Sequence, residues 1–490
     1  MDSIHFFRRQ FILSTNPELN FEKWTNLKIE NEFYLSVHPD LEINQSTFGK
    51  LSITLLGFVI NPFEPLKTNK EILDELTFNS LNFDDIICKT EPLGGRWAII
   101  FNDSLSLNIL HDPGGQRQVY YCQKDGHTIV GSDPAIINHF VKLEKDTNIA
   151  LTEFINSSNF IKTQKSWIGS DTEFKDVKHL LPNHYLNLKK LQSVRFWPYK
   201  PLKKIDLETA TELLSQILVG SLIAISKRQK IALAVTGGWD SRVLLSASKE
   251  IYKDVCYFIS VGENEDINSH DVQISSKIFQ QLNIPFYIQK CTIELEPSFK
   301  NIFKNNILLA RIDLNKTKYI YHYFLEFDGL ISINGGMGEI GRSCIRPKIP
   351  IKITGENLVK LYCIDYDNLS YPIDQLDSWI KEGYELFIQN NLDIFDMLYW
   401  EQRIGNWGAL YPAEEDIAID QFCPFNNRLL LTTMLSVVEK YRRFPDYILF
   451  YKIIKKLWPE TLVQPLGKCD FKLNTRNHIK LLIRRLSGVY

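Results

Sequence analysis

An apolar run that leads straight into a glycine pair constrains this chain more than any other feature of it. Ile231-Ala232-Leu233-Ala234-Val235 has the pattern of a short buried strand. Thr236-Gly237-Gly238-Trp239-Asp240-Ser241 follows at once, and then a helical pattern over Arg242–Lys249. Two glycines let the backbone turn tightly and aim its amides at an anion. The start of the helix adds unsatisfied amides and the positive end of its dipole. Thr236 and Ser241 bring hydroxyls. An acid at position 240 repels a bare phosphate, so its presence implies a hard cation, Mg²⁺, that in turn holds the phosphates. The alternative is a plain strand-turn-helix corner with Asp or Ser as its cap. Strand, hydroxyl, glycine pair, acid, hydroxyl and helix in that order favour a phosphate site. A Walker-type loop, GxxxxGK[ST], does not occur.

The surroundings fit that reading. An amphipathic helix around Leu207–Ile225 precedes the strand. After the loop come the strand Val255–Val261, a helix near Val272–Leu282 and the strand Phe286–Ile288. Strands alternating with helices predict a parallel sheet with ligands at its C-terminal strand ends. Beyond about residue 360 the pattern is mainly helical. The earlier part, from about residue 50 to 197, is strand-like. Ser52–Ile60, Arg96–Phe101, Ser106–Leu110 and Val119–Tyr121 are separated by short turns and predict an antiparallel sheet. Trp197-Pro198-Tyr199-Lys200-Pro201 interrupts any regular element and places a boundary there. Residues 1–200 and 201–490 are read as two domains.

Composition removes several function classes. The net charge is −2, without the basic excess of a nucleic-acid or anionic-membrane binder. No apolar run reaches the roughly 20 residues of a membrane span. The start, Met1-Asp2-Ser3-Ile4-His5, has no secretory pattern, so a cytoplasmic location is expected. The eight cysteines show no CxxC spacing and are read mostly as buried thiols.

Thr236–Ser241 resembles the pyrophosphate-binding loop, Ser-Gly-Gly-x-Asp-Ser, of the ATP pyrophosphatases, and of asparagine synthetase in particular. Further segments resemble that family in order along the chain. Asp112–Arg117 with Tyr120-Tyr121 is similar to its Arg-Asp-x-x-Gly…Leu-Tyr-Tyr segment, and Thr172–Leu186 to the stretch that ends in Pro-Gly-His. Ser269-His270-Asp271 resembles its Ser-Pro-Asp. Asn334-Gly335-Gly336-Met337-Gly338-Glu339 stands where it has Gly-Glu-Gly-x-Asp-Glu, and Pro424–Arg428 resembles Pro-Phe-Leu-Asp.

The resemblance implies an α/β protein. An N-terminal-nucleophile-type β-rich sandwich would precede a parallel-sheet ATP-pyrophosphatase domain with a mainly helical C-terminal part. It implies ATP and Mg²⁺ as cofactors. Thr236, Gly237, Gly238, Asp240, Ser241, Gly335 and Gly336 would hold ATP and its pyrophosphate, and Asp240 and Glu339 the metal. Asp240, Glu339 and Lys468 would carry catalysis, with Lys455 and Lys456 as other candidates for the late lysine or simply solvated. Arg242 either contacts ATP or starts its helix. Trp400-Glu401-Gln402-Arg403, with Trp407, is read as packing rather than as an acceptor pocket. The basic amphipathic run Ile479–Leu486 is read as a helix packed on its own domain.

The departures bear on function. Glutaminases of the family need an N-terminal cysteine, but position 2 is Asp, and Cys88 has no terminal amine. Leu56-Gly57-Phe58 replaces the glutamine-holding Asn-Gly-Glu, and Gly338 replaces an acid. The expected activity is an amide-forming ligase without glutaminase. It would adenylate a small-molecule or peptide carboxylate for attack by an amine. A scaffold without catalysis and a synthetase fed with external ammonia are the alternatives. A homodimer or a biosynthetic partner fits either.

Overall fold

The computed structural model describes residues 5–30, 32–103, 105–263, 265–311, 314–362, 366 and 369–466. Lys468 and the run 479–486 lie outside the described residues. Among the described residues the strands form two six-stranded antiparallel sheets and one five-stranded sheet, which is parallel.

The two antiparallel sheets stack face to face. Strands Leu51–Ile60 and Gly94–Asn102 pair along their whole length, with Leu55 opposite Ile99 and Ile60 opposite Gly94. Leu56, Ala98, Ile100 and Ile109 meet Leu13, Leu35, Val37 and Val130 of the other sheet in a dry layer. The opposite face, with Ile53, Leu55, Trp97, Ile99 and Phe101, is covered by helices Asn69–Asn79 and Phe83–Lys89. Helix Pro134–Phe140 packs Ile136 and Ile137 against Ile12 and Ile129 on the far side of the second sheet. The order of layers is helix, sheet, sheet, helix. Both faces of Leu51–Ile60 are buried, which explains its continuous apolar run in place of alternation. The outermost strands are Lys178–His179 and Thr25–Glu30 in one sheet, and Gln192–Arg195 and Ile43–Phe48 in the other.

The parallel sheet runs in the order Tyr287–Cys291, Val255–Gly262, Lys230–Ala234, Leu330–Ile333, Asp420–Phe422. The chain leaves the central strand Lys230–Ala234 to one side and later returns on the other. Connections therefore diverge at the C-terminal ends of Lys230–Ala234 and Leu330–Ile333, where an open sheet offers a crevice. Helix Leu207–Ser226 is long and apolar enough by length and composition to cross a membrane. In this fold it is a core helix, with Leu214, Ile217, Leu218, Ser221, Leu222 and Ile225 buried. Asp206 caps it by accepting from the amides of Glu208 and Thr209. The remainder after residue 369 is mostly helical, including a π-helix over Tyr399–Gly408. Of the eight cysteines expected to be mostly buried, Cys363 and Cys469 lie outside the described residues. Cys122, Cys291 and Cys423 are buried, but Cys88 and Cys344 are exposed and Cys256 is intermediate.

Buried polar groups fasten the sandwich to the α/β half. Both terminal nitrogens of Arg96 reach Asp416 at 2.6 Å, and Nη1 also reaches Asp420 at 3.0 Å. Asn426 donates to Gly95 O and Asp112 Oδ1, each at 2.8 Å, and accepts from the Gly114 amide at 2.9 Å. Trp400 Nε1 donates to Pro113 O at 2.8 Å. Removing one member of a buried ion pair strands the other charge, at a cost of about 3–5 kcal/mol. Arg96→Ala is expected to lower the unfolding free energy by about that amount, read as a shift of the denaturant midpoint at unchanged slope.

Candidate functional site

Helix Trp239–Ala247 begins directly after the central strand and its loop, with Gly238 at the N-cap and no side chain capping it. Its first amides therefore face the crevice without a protein acceptor on a cap side chain. The loop before it is tied to itself. Thr236 N donates to Ser241 Oγ at 3.2 Å, the two hydroxyl oxygens lie 3.0 Å apart, and Gly238 N donates to Thr236 Oγ1 at 3.2 Å. Gly237 N donates to Asp271 Oδ1 at 3.1 Å. Ser269-His270-Asp271 thus buttresses the loop from the start of helix His270–Leu282.

The second glycine loop comes from the neighbouring strand Leu330–Ile333. Asn334 N is bonded to Phe422 O at 3.2 Å, and Gly338 N closes a turn onto Gly335 O at 2.9 Å. This loop lies flat against Asp240. A Cβ on Gly335 would stand 2.7 Å from Asp240 Cβ, and one on Gly338 would stand 2.4 Å from Asp240 Oδ1. The structure thus brings Thr236, Gly237, Gly238, Asp240 and Ser241 together with Gly335, Gly336 and Glu339.

The two acids do not face an open space. Arg342, from the short 3₁₀ helix Gly338–Arg342, inserts its guanidinium between them. Its Nη2 is 2.7 Å from Asp240 Oδ2 and 2.8 Å from Glu339 Oε1. Tyr399 OH donates to Glu339 Oε2. The Arg342 guanidinium lies over the ring of Tyr447, 5.5 Å from its centre. Burial pushes the Asp240 carboxyl up to about 7, with Arg342 opposing and Glu339 adding to the shift. Burial works against the Arg342 charge, and Asp240 and Glu339 outweigh it and raise its pKa.

The expectation that Asp240 and Glu339 hold Mg²⁺ does not fit this arrangement. Mg²⁺ asks for about six oxygens in near-ideal geometry. Here one oxygen of each acid is taken by Arg342 and the second oxygen of Glu339 by Tyr399. The remaining one, Asp240 Oδ1, is buried without a partner. It faces the bare backbone of Gly338, with the Phe425 ring 3.3 Å from that glycine's Cβ position. Among the described residues no third His, Cys, Asp or Glu joins the pair.

Other sequence candidates take structural roles. Arg242 is buried and turns away from the loop, donating to Thr461 O at 2.6 Å and Gln464 O at 3.3 Å. Lys456 pairs with Glu212 at the surface at 2.6 Å. Lys455 is exposed at the C-terminal end of the same helix, Ile448–Leu457. Glu401 is fully buried and satisfied by Arg195, Asn183 and Trp379. Arg342, Tyr399 and Tyr447 were not anticipated. The spacing of Arg342 three residues after Glu339 was a usable signal for an ion pair on a tight helical turn. Tyr399 and Tyr447 carried none.

No family model matches the chain, and no curated protein matches it. Solved structures overlap it weakly. The glutamine phosphoribosylpyrophosphate amidotransferase of B. subtilis, complexed with ADP and GMP, overlaps at 11% identity and a TM-score of 0.27, over 61% of this chain and 87% of that one. An NH3-dependent NAD synthetase from Campylobacter jejuni, with nitrate ion, gives 11% and 0.21 over 41% and 94%. An allosteric regulatory enzyme of purine biosynthesis gives 12% and 0.24 over 59% and 75%.

The approach of the glycine loop to Asp240 has a direct consequence. Gly335→Ala forces Asp240 and its helix apart and is expected to cost about 1–3 kcal/mol. Gly336→Ala is the control, since its Cβ would meet only the Asn334 side chain at 3.3 Å. Thermal melting of both variants checks this, with the larger drop expected for Gly335→Ala.

Proposed function

We propose that the crevice between Thr236–Ser241 and Asn334–Glu339 takes the polyphosphate of ATP, and that the chain is an AMP-forming carbon–nitrogen ligase of the asparagine synthetase type. One observation carries the reading. Two glycine loops about a hundred residues apart in the sequence meet at the switch point of a parallel sheet, where such sheets bind ligands. The reaction is attack of a carboxylate oxygen on the α-phosphorus of ATP. The bond from that phosphorus to the bridging oxygen breaks, and pyrophosphate leaves. An amine then attacks the acyl carbon, AMP departs and the amine loses a proton. The chain's part is to hold the leaving pyrophosphate against the amides of the helix start, where negative charge develops.

In this reading residues 1–200 are a degenerate amidotransferase-like domain and 201–490 the ligase domain, in a cytoplasmic protein. Position 2 is Asp, and Leu56-Gly57-Phe58 stands where that family holds glutamine with Asn-Gly-Glu. Gly57 is held close against the neighbouring strand Gly94–Asn102. A Cβ on Gly57 would stand 2.2 Å from Arg96 O and 3.4 Å from Arg117 Nε. In this reading the amine belongs to the substrate or is ammonia supplied from outside. A second reading, a nucleotide-binding scaffold without turnover, is favoured by the ion pairs that occupy both acids.

Incubating the protein with ATP and candidate carboxylates, and resolving nucleotides by chromatography, separates these readings. AMP and pyrophosphate are expected. ADP as the main product would overturn the reaction class, and bound but uncleaved ATP would leave the scaffold. Asp240→Asn is expected to lower turnover at least about tenfold, or about 1.4 kcal/mol, in a protein that still melts cooperatively. Added glutamine is expected to yield no glutamate above a buffer blank.

A further inference from the structure

Two acids, Asp240 and Glu339, lie where the two glycine loops meet. Unneutralised, they would repel any polyphosphate that approached the loop amides. Among the described residues the positive group set between them is Arg342, which spends a single nitrogen on both acids. Arg342 Nε is buried and has no acceptor. A buried donor left unmatched is unfavourable, so it favours an incoming acceptor. A guanidinium stays charged at every working pH and presents a planar fork that matches phosphate oxygens. The ring of Tyr447 on one face, with both acids at one nitrogen, holds that fork in place before any ligand arrives.

We propose that Arg342 supplies the positive charge of this crevice in place of a divalent metal, so that pyrophosphate and the polyphosphate of ATP bind without one. This rests on the nucleotide reading above and narrows it. Arg342 acts here as a binding residue, with two of its neighbours serving as counterions rather than as ligands to a cation. The absence of an acid at position 338 belongs to the same arrangement. Any side chain there would press on Asp240 Oδ1, which a Cβ would approach to 2.4 Å, and disturb the carboxylate that orients Arg342.

Titration calorimetry of the full chain with inorganic pyrophosphate and with ATP tests this, first in EDTA and then with excess Mg²⁺. Wild-type affinities in the two conditions are expected to agree within about threefold. Arg342→Gln is expected to bind about tenfold or more weakly in EDTA, and to recover with Mg²⁺, because both acids are then free for the metal. A purely structural Arg342 would give no such gain of metal dependence. Melting curves confirm that the variant is folded, and Arg342→Lys, which keeps the charge without the fork, serves if it is not; a loss in EDTA is expected there too. Wild-type binding that vanishes in EDTA overturns the proposal and leaves the nucleotide reading standing. Unchanged binding of Arg342→Gln in EDTA overturns it as well. No binding by the wild type in either condition sinks the nucleotide reading itself, and this proposal with it.

Discussion

The guanidinium of Arg96 is fully buried and gripped by Asp416 and Asp420, two carboxylates more than three hundred positions away in the chain. Burying those charges is costly, and only close, two-pronged geometry offsets the cost. The position of Arg96 therefore admits little error. Asp420 opens the last strand of the parallel sheet, and that strand pairs with Leu330–Ile333, from which the glycine loop springs. Asn426 and Asp112 extend the same contact toward Gly114, whose Cβ would stand 2.5 Å from Met337 Sδ in the glycine loop. The sandwich is thus the wall against which one side of the crevice is set.

Much of the α/β half was legible in the sequence because its elements are strongly periodic and buried. The helix expected at Leu207–Ile225 is found at Leu207–Ser226, and the strand expected at Val255–Val261 at Val255–Gly262. The loop helix begins at Trp239, three residues ahead of the expected Arg242, because Gly238 already takes the extended N-cap conformation. The strands Leu330–Ile333 and Asp420–Phe422 were not anticipated. The first has only four residues and the second three, beginning with an acid that serves Arg96. Two of the four described strands before residue 50 were missed for a different reason. Thr25–Glu30 and Ile43–Phe48 are polar, and one neighbour's backbone, rather than a buried face, holds each of them.

The site divides in the same way. That Thr236–Ser241 and Asn334–Glu339 belong together could be read from glycines and acids in order. What fills the space between the acids was signalled only in part, by Arg342 standing three residues after Glu339. A carboxylate's partner depends on which side chain the fold delivers, and Arg342 reaches both acids only because the chain tightens into a 3₁₀ turn at Gly338. Tyr399 arrives from a π-helix, an irregularity that no spacing rule announces.

The four outermost strands of the sandwich share one property. Lys178–His179 is two residues long, Gln192–Arg195 is four, and Thr25–Glu30 and Ile43–Phe48 carry mostly polar or charged side chains. A sheet edge is a row of unsatisfied amides and carbonyls that invites another chain to add itself. Short or hydrophilic borders give such an intruder little to grip. The sequence that hid these strands from a hydrophobicity-based reading is therefore also what keeps a two-sheet protein, apolar throughout its middle, from polymerising through its rims.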